Sequence, residues 1–222
     1  MKKGMLKQVG FVVIIIIGLF WMHALYDTFA LPYTFHLRYL PPLSTAFMDA
    51  YDGTKEMKQH WILLKKISPY LRQAVVLAED DNFYSHSGYD WEAIKKAAQA
   101  DWKRKRFARG ASTITQQLAK NLYLSSAKNP LRKIKEFFIA LKLERELSKD
   151  RILEIYLNVI EWGNGIYGAE AAAKHYFNTS AASLGKHESA FLSAIIPKPR
   201  FYDKYRGGPY LQRRVASIES RL

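Results

Sequence analysis

An uncharged and strongly apolar run near the N-terminus constrains this chain more than any other feature. Residues 9–26 read VGFVVIIIIGLFWMHALY, with no Asp, Glu, Lys or Arg among them. As an α-helix, a run of this length rises about 27 Å, which is close to the hydrocarbon thickness of a bilayer. The run therefore predicts a transmembrane anchor over 9–26.

The charges that flank the run predict its orientation. Lys2, Lys3 and Lys7 precede it, whereas Asp27 is the first charge after it. The excess of positive charge on cytoplasmic flanks makes 1–8 a cytoplasmic tail and sends the rest of the chain across the membrane. The alternative is a cleaved signal peptide, but the run is longer than a usual signal core and no clean A-x-A site follows it. We therefore expect a single-pass protein of a cytoplasmic membrane.

The body of the chain is large enough for one domain and strongly basic. Hydrophobic residues make up 49% of the sequence, and 34 Lys and Arg against 20 Asp and Glu leave a net charge of +14. Such a charge favours an anionic partner. Because a body outside the cytoplasm cannot reach chromosomal DNA, we expect anionic lipid or lipid-linked phosphate and no nucleic acid. The absence of cysteine excludes disulfides and thiol nucleophiles.

Helix start signals dominate this body, so the predicted fold class is mainly α. Residues 27–66 contain three prolines and read as a linker and membrane-proximal segment that leads into a short strand or extended stretch. We assign 67–222 to the folded domain. The predicted helices begin at the caps Ser68, Asp90, Thr113, Asn129 and Ser148; in the helix after Asn129, Ile134, Phe137, Phe138 and Leu141 share one face. A glycine turn over 163–168 precedes an alanine-rich helix, and a last apolar helix over 188–196 stops at Pro197.

An acidic string, EDDNFYSHSGYD over 79–90, follows the first helix. A carboxylate between a buried helix and an open loop is partly desolvated, which raises its pKa and makes it a usable general base. Glu79 is the candidate. The alternative is an acidic turn whose residues cap helices or pair with Lys and Arg. His86 has no His or Cys at metal-ligand spacing, so we expect it to be structural or a hydrogen-bond anchor.

A second string, RGASTITQQLAKN, covers 109–121. Gly110 frees the backbone ahead of a capped turn, and the N–H groups near Thr113 are predicted to donate hydrogen bonds to an anionic oxygen. Gln117 and Lys120 lie three residues apart and project from one helix face. The string predicts a phosphate cradle, although an ordinary polar helix start is the alternative.

A third string, RKIKE over 132–136, surrounds one carboxylate with cations. Arg132 and Lys133 lie four and three residues before Glu136, which should keep that carboxylate ionised. A permanently anionic group can bind a divalent cation or steer cationic side chains, but it is a poor proton donor. The alternative is a pair of surface salt bridges. The run WKRKRFAR over 102–109 reads as a membrane-facing basic patch or a solvated helix end.

Together these strings resemble the peptidoglycan glycosyltransferases of family 51, and in particular the short monofunctional biosynthetic kind. The family motifs E-D-x-x-F-x-x-H-x-G-x-D, R-G-x-S-T-I-T-Q-Q-L-x-K-N and R-K-x-x-E are matched in full, in order, over 79–90, 109–121 and 132–136. The string I-L-E-x-Y-L-N over 152–158 and the glycines over 163–168 match further family sequence. The last motif departs, because PKPR over 197–200 is short, and we assign no role to it.

The resemblance implies a lysozyme-like helical domain, with a head that holds the cleft and a small membrane-facing lobe, after one transmembrane helix. It also implies the polymerisation of lipid II into β-1,4 glycan strands, with inversion and release of undecaprenyl pyrophosphate. Glu79 would accept a proton from the acceptor hydroxyl. Glu136 would organise the pyrophosphate site, either through a divalent cation (Mg or Mn) or through Lys120 and Arg132.

The resemblance further implies a bacterial inner-membrane protein with a periplasmic catalytic domain and no organic cofactor. Its implied partners are lipid II, the lipid-linked glycan chain, the bilayer and other cell-wall synthesis proteins. The residues expected to bind substrate or pyrophosphate are Arg109, Ser112, Thr113, Gln116, Gln117, Lys120, Asn121, Arg132 and Lys133. Those expected to support the site are Asp80, Phe83, His86, Gly88, Asp90, Tyr156 and Asn158.

Two other classes of protein stay open on the sequence. A lytic transglycosylase or muramidase would share the lysozyme-like fold but would not need a cationic pyrophosphate cradle. A non-catalytic, membrane-anchored protein that binds anions would explain the charge and the anchor, and it would be indifferent to Glu79→Gln.

Overall fold

The fold is built mainly from helices, as the sequence predicts. A computed structural model of the chain describes residues 11, 13–19, 22, 30–95, 112–127 and 129–222. Residues 91–95 are helical. The other helices of the domain are α1 (Ala46–Asp49), α2 (Pro69–Glu79), α3 (Ile114–Tyr123), α4 (Pro130–Glu146), α5 (Lys149–Val159), α6 (Ala169–Phe177), α7 (Lys186–Ile195), α8 (Pro199–Lys204) and α9 (Pro209–Glu219).

The predicted helix caps are confirmed where the side chain can reach the first turn. Thr113 and Gln116 form a capping box at the start of α3, and Ser148 accepts a hydrogen bond from the Arg151 N–H at the start of α5. Ser68 departs from the pattern, because its hydroxyl donates to the Leu184 carbonyl at 2.6 Å instead of capping α2. That hydrogen bond ties the start of α2 to the segment that precedes α7.

The prediction that the helix ending near Pro197 is the last one is wrong. Two helices follow it, α8 and α9, and each has a proline at its first position. Proline is favoured there, because the first helical N–H has no partner within the helix. The signal was therefore present in Pro199 and Pro209, and α9 proves important for the site.

Two groups of helices form the core. In the first group α2 packs on α7, and α9 contacts both. In the second group α3 packs against α4 and α5. The largest fully buried side chains include Trp162, Tyr156, Tyr167 and Phe83. The end of α2, in the first group, lies beside α3, in the second group, so side chains of the two helices meet there.

A small three-stranded sheet draws the segment before residue 67 into the domain. Its strands are β1 (Lys58–Gln59), β2 (Glu161–Gly163) and β3 (Ile166–Tyr167), in the order β1-β3-β2. β1 runs parallel to β3, and β2 runs antiparallel to it with a bulge. Leu37, Met48 and Leu64 are buried in the same core. The sequence prediction placed the start of the folded domain at residue 67. In the structure the folded unit begins before that residue.

The shared apolar face of α4 is only partly buried. Ile134 and Phe138 stay 45% and 47% exposed, whereas α4 turns Glu136, Ile139, Ala140 and Leu143 toward the interior. A carboxylate thus occupies an inward position, and large apolar side chains face outward. The buried Glu136 and the exposed Ile134 and Phe138 depart from what burial of apolar surface alone would select.

Among the described residues, no helix combines the length and apolar character that a membrane crossing requires. Only 11, 13–19 and 22 of the predicted anchor over 9–26 belong to the described residues. The anchor stays a prediction.

Gly168, at the start of α6, is the glycine whose replacement should cost the most. Its φ is +81°, and a Cβ built there would lie 2.7 Å from the Asn158 carbonyl oxygen. We expect Gly168→Ala to lower the free energy of unfolding by about 2 kcal/mol or more, because both the left-handed backbone and the close approach penalise a side chain. Gly207→Ala is the matched control, since a Cβ there meets nothing within 4 Å. Denaturant unfolding measures both, and equal effects would contradict the prediction.

Candidate active site

Glu79 is the last residue of α2, and its carboxylate is held by donors from two other helices. Its side chain is only 10% exposed. Gln117 Nε2, from α3, donates to Oε2 at 2.9 Å, and Arg214 Nη2, from α9, donates to Oε1 at 3.3 Å. Both carboxylate oxygens are therefore fixed in direction.

Burial raises the pKa of Glu79 above its ordinary value. The Gln117 hydrogen bond and the positive charges of Arg214 and Lys120 act against this rise, whereas the negative charge of Asp80 adds to it. The result is a carboxylate that takes up a proton more readily than one in water. The prediction that Glu79 is partly desolvated is confirmed, and Glu79 also pairs with an arginine, as the alternative interpretation expected.

Gln117 is itself held by a hydrogen bond at the other end of its amide. The Tyr156 hydroxyl, from α5, donates to Gln117 Oε1 at 2.9 Å. Tyr156 is completely buried, and burial raises the pKa of its phenol well above the ordinary value. The phenol therefore keeps its proton. A chain of hydrogen bonds runs from Tyr156 through Gln117 to Glu79.

Three N–H groups at the start of α3, where the sequence predicts an open phosphate cradle, already have acceptors within the protein, and Gly110 lies outside the described residues. The Ile114 N–H donates to Asp80 Oδ2 at 2.9 Å, and the Thr113 and Gln116 N–H groups are paired within the capping box. The Thr113 hydroxyl donates to the Gly88 carbonyl at 2.7 Å. The N-terminus of α3 thus already faces a negative charge from its own chain, where such a charge is stabilised.

His86 anchors that arrangement, as one of the two sequence interpretations proposed. The Gly88 N–H donates to His86 Nδ1 at 3.2 Å, so this nitrogen accepts and Nε2 carries the proton. Nε2 lies 2.9 Å from Asp80 Oδ1 and donates to it. Burial raises the pKa of Asp80, although the His86 and Ile114 hydrogen bonds oppose the rise. The first two motifs are thereby joined around one carboxylate.

Glu136, on α4, is a second buried carboxylate and is 2% exposed. Arg132 Nη1 donates to Glu136 Oε2 at 2.8 Å, and Lys133 Nζ pairs with Oε1. Lys133 Nζ also lies 3.1 Å from the Ser112 hydroxyl oxygen and donates to it. The predicted ion pairs are confirmed, with Glu136 buried, Arg132 mostly buried and Lys133 half exposed.

Lys120 connects the two carboxylates electrostatically. Burial lowers the pKa of Lys120, the charges of Glu136 and Glu79 raise it, and those of Arg132 and Lys133 lower it. Its ammonium group lies 5.3 Å from the centre of the Phe47 ring. A cation of α3 therefore lies within electrostatic range of both acidic side chains.

The arrangement around Glu136 favours cationic side chains over a metal ion. Both carboxylate oxygens already face cations, which leaves the carboxylate little to offer a divalent ion. Within the described ranges, no group of three or more His, Cys, Asp or Glu side chains converges on a point that could hold a metal. The divalent cation stays a prediction.

Several predicted residues have structural contacts, and one functional residue was missed. Phe83 lies in the core, and the Asn121 amide donates to the Gln117 carbonyl at 2.8 Å. Asn158 brackets Ile62 with two hydrogen bonds of 2.9 Å. The Asp90 carboxylate caps the 91–95 helix through the Ala93 N–H at 2.9 Å.

Arg109 and the basic run over 102–109 lie outside the described residues. Arg214 was missed, because nothing near it in the sequence indicates that α9 returns to Glu79.

The site can perform acid–base chemistry next to a concentration of positive charge. Glu79 can accept a proton from a hydroxyl group, and Lys120, Arg132 and Lys133 can stabilise negative charge on a leaving group. This division of roles does not need a second proton-transferring carboxylate.

Comparison with known proteins agrees with this geometry. The family model described as Transglycosylase matches residues 45–222. Biosynthetic peptidoglycan transglycosylase of Methylobacillus flagellatus is 49% identical over 188 residues, covering 82% of each chain. The protein of that name from Chromobacterium violaceum is 43% identical over 205 residues, covering 89% of this chain and 90% of its own. The chain belongs to the transglycosylase family, which confirms the resemblance inferred from the motifs.

The raised pKa of Glu79 carries a stability cost with a definite pH dependence. Because the folded-state pKa lies above the ordinary 4.5, the ionised carboxylate is less stable in the fold than in water at neutral pH, and this cost disappears when Glu79 is protonated. We expect Glu79→Gln to raise the melting temperature at pH 8, and the gain to shrink as the pH falls toward 4.5. Glu219→Gln, at a carboxylate that is 38% exposed, serves as control. An unchanged or lower melting temperature at pH 8 would contradict the burial argument.

Proposed function

We propose that this chain polymerises lipid II into linear β-1,4 glycan strands. The donor would be a glycan chain carried on undecaprenyl pyrophosphate, and the acceptor would be the 4-hydroxyl of the GlcNAc of lipid II. The observation that carries the proposal is the buried, proton-attracting Glu79 in one site with Lys120, Arg132 and Lys133. The family membership and the names of the relatives support the same reaction.

In the proposed step, a carboxylate oxygen of Glu79 takes the proton of the acceptor hydroxyl. At the same time the hydroxyl oxygen attacks the anomeric carbon of the donor. The bond from this carbon to the pyrophosphate oxygen breaks on the opposite face, so the α linkage becomes β. The raised pKa of Glu79 brings the base closer to the pH of the reaction, which improves proton transfer. Arg214 and Gln117 keep the carboxylate directed during the transfer.

The pyrophosphate leaves with its electron pair and needs charge stabilisation more than a proton. Lys120, Arg132 and Lys133 would supply that stabilisation, because fixed cations in a partly desolvated site lower the energy of developing negative charge. Glu136 then acts on the cations: it holds Arg132 and Lys133 in place. Its proposed role is therefore organisation of the pyrophosphate site and not proton transfer.

We also propose that the body docks on the bilayer in which its substrates are anchored. Support comes from exposed apolar side chains on two parts of the described chain, the segment 31–43 and the first half of α4. The segment 31–43 is joined to α5 by Arg151, which donates to the carbonyl of Leu40 at 2.8 Å, and to the end of α4 through Thr34 and Glu146. The exposed apolar side chains are Leu31, Tyr33, Phe35, Tyr39, Leu40 and Leu43 on the segment and Leu131, Ile134 and Phe138 on α4.

Apolar surface of this kind is stabilised when lipid replaces water around it. It agrees with the proposed anchor over 9–26, a cytoplasmic tail over 1–8, and a lysozyme-like catalytic domain on the periplasmic side of the inner membrane. In this arrangement the side that carries α4 and 31–43 is the membrane-facing lobe. Other cell-wall synthesis proteins remain predicted partners.

The proposed reaction is tested by replacing each carboxylate with its amide. We expect Glu79→Gln to lower lipid II polymerisation at least about 100-fold, because a general base contributes that much or more, and Glu136→Gln to lower it strongly by releasing the two cations. Glu219→Gln, whose side chain pairs with His187 at 3.0 Å, should polymerise normally. Gel analysis of glycan products measures all four proteins, and a Glu79→Gln enzyme at the wild-type rate would refute the mechanism.

The same preparations separate the proposal from its competitors. Incubation with purified sacculi should release no soluble sugar, since release would indicate a lytic enzyme. A non-catalytic anion-binding protein would bind lipid II equally well with Glu79 or Gln at this position and would form no glycan from it.

Membrane docking predicts an effect that depends on the lipid environment. We expect the double variant Ile134→Ser, Phe138→Ser to lose about tenfold or more of its polymerisation rate on lipid II in vesicles, because two exposed apolar contacts with lipid are removed. The rate in detergent micelles, where docking is not needed, should stay near wild type. Equal losses in vesicles and micelles would show that these side chains serve the fold or the site instead.

A further inference from the structure

The orientation of one side-chain amide decides what Glu79 faces. The amide of glutamine has a donor NH₂ at one end and an acceptor oxygen at the other, and the two ends have nearly the same shape. In Gln117 the NH₂ end donates to Glu79 Oε2 at 2.9 Å. Reversal of this amide would place an oxygen against the carboxylate.

The other end of the amide meets a buried hydroxyl whose proton needs an acceptor. Tyr156 is 0% exposed, so its hydroxyl proton needs an acceptor inside the protein. Among the described residues, the recorded acceptor of that proton is Gln117 Oε1, at 2.9 Å. With the amide reversed, the hydroxyl proton would face the NH₂ group and lose its acceptor. The cost of an unpaired buried donor therefore opposes reversal.

We propose that Tyr156 is a positioning residue for Glu79: its hydroxyl holds the Gln117 amide with the NH₂ end toward the carboxylate. Three helices meet in this contact, because Glu79 ends α2, Gln117 lies in α3 and Tyr156 lies in α5. Tyr156 contacts neither the substrate nor Glu79 in this role and acts through Gln117. The inference rests on the proposed function of Glu79 as the base.

The positioning favours the ionised form of Glu79. An NH₂ group can donate to a carboxylate, whereas a reversed amide would accept a hydrogen bond from a protonated carboxyl. Loss of the Tyr156 hydroxyl would thus allow the amide to turn whenever Glu79 is protonated, and this would stabilise the protonated form. The other charged groups facing Glu79 are Arg214 from α9, Lys120 from α3 and Asp80 next to it in the chain. None of them is altered by removing the Tyr156 hydroxyl.

Tyr156→Phe tests the inference, because it removes the hydroxyl and keeps the ring. We expect the acid limb of kcat/KM for lipid II polymerisation to move up by about half to one pH unit, the size of shift that one such hydrogen bond can supply. The rate on the alkaline plateau should stay within about threefold of wild type. The carboxyl titration of Glu79, followed by NMR with ¹³C-labelled glutamate and assigned with Glu79→Gln, should move in the same direction.

Tyr176→Phe is the matched control for the loss of a tyrosine hydrogen bond. The Tyr176 hydroxyl donates to the Trp162 carbonyl at 2.8 Å, and the charged groups that act on it are Asp203, Arg206 and Glu161. We expect this variant to lose stability and to leave the acid limb in place. An equal movement of the acid limb in both variants would overturn the positioning role in favour of a general loosening of the fold.

A second comparison asks whether Tyr156 acts through Gln117. Gln117→Met removes the amide, so it should raise the acid limb by itself, and Tyr156→Phe should then add no further shift. Additive shifts, or an unmoved Glu79 titration in Tyr156→Phe, would overturn the inference. Failure of the proposed function looks different: Glu79→Gln would polymerise at the wild-type rate, while the NMR titration would still report whether Tyr156 controls Glu79.

Discussion

The burial of the Glu79 carboxylate at the end of α2 is the constraint on which the rest of the site depends. Desolvation raises the pKa of this carboxylate, and a base of that kind is useful only if its direction and residual charge are controlled. Gln117 and Arg214 provide that control from α3 and α9, one on each oxygen. The positions of α3 and α9 beside the end of α2 therefore have a chemical consequence, because each of these two helices places a donor on the Glu79 carboxylate.

The second carboxylate illustrates a different use of burial. Removing an ion pair from water costs free energy that the attraction between the partners often fails to recover. Glu136 is nevertheless buried with Arg132 and Lys133 around it, while apolar side chains of the same helix face outward. Stability alone does not account for such an arrangement. The proposed reaction and the proposed membrane docking would account for both, since a departing pyrophosphate needs fixed cations and lipid accepts apolar side chains.

Much of the fold and of the site could be predicted, because the signals are local or belong to motifs. The capping box of Thr113 and Gln116 depends on residues three apart, and the ion pairs of Glu136 depend on one helical turn. Local spacing has a limit at the predicted cradle near Thr113: it cannot reveal that Asp80, more than thirty residues earlier, already accepts the Ile114 N–H at 2.9 Å. Arg214 was missed because its partner lies 135 residues away in the chain.

The sequence by itself determined which side chains are available, where helices begin, and the family to which the chain belongs. These properties follow from residue types and short spacings, which the backbone period converts directly into neighbours on one helix face. Only the tertiary structure decided which carboxylate is desolvated, which end of the Gln117 amide faces it, and which N–H groups remain open to a ligand. Burial and hydrogen-bond direction arise where separate helices meet, so they depend on contacts that no single stretch of sequence contains.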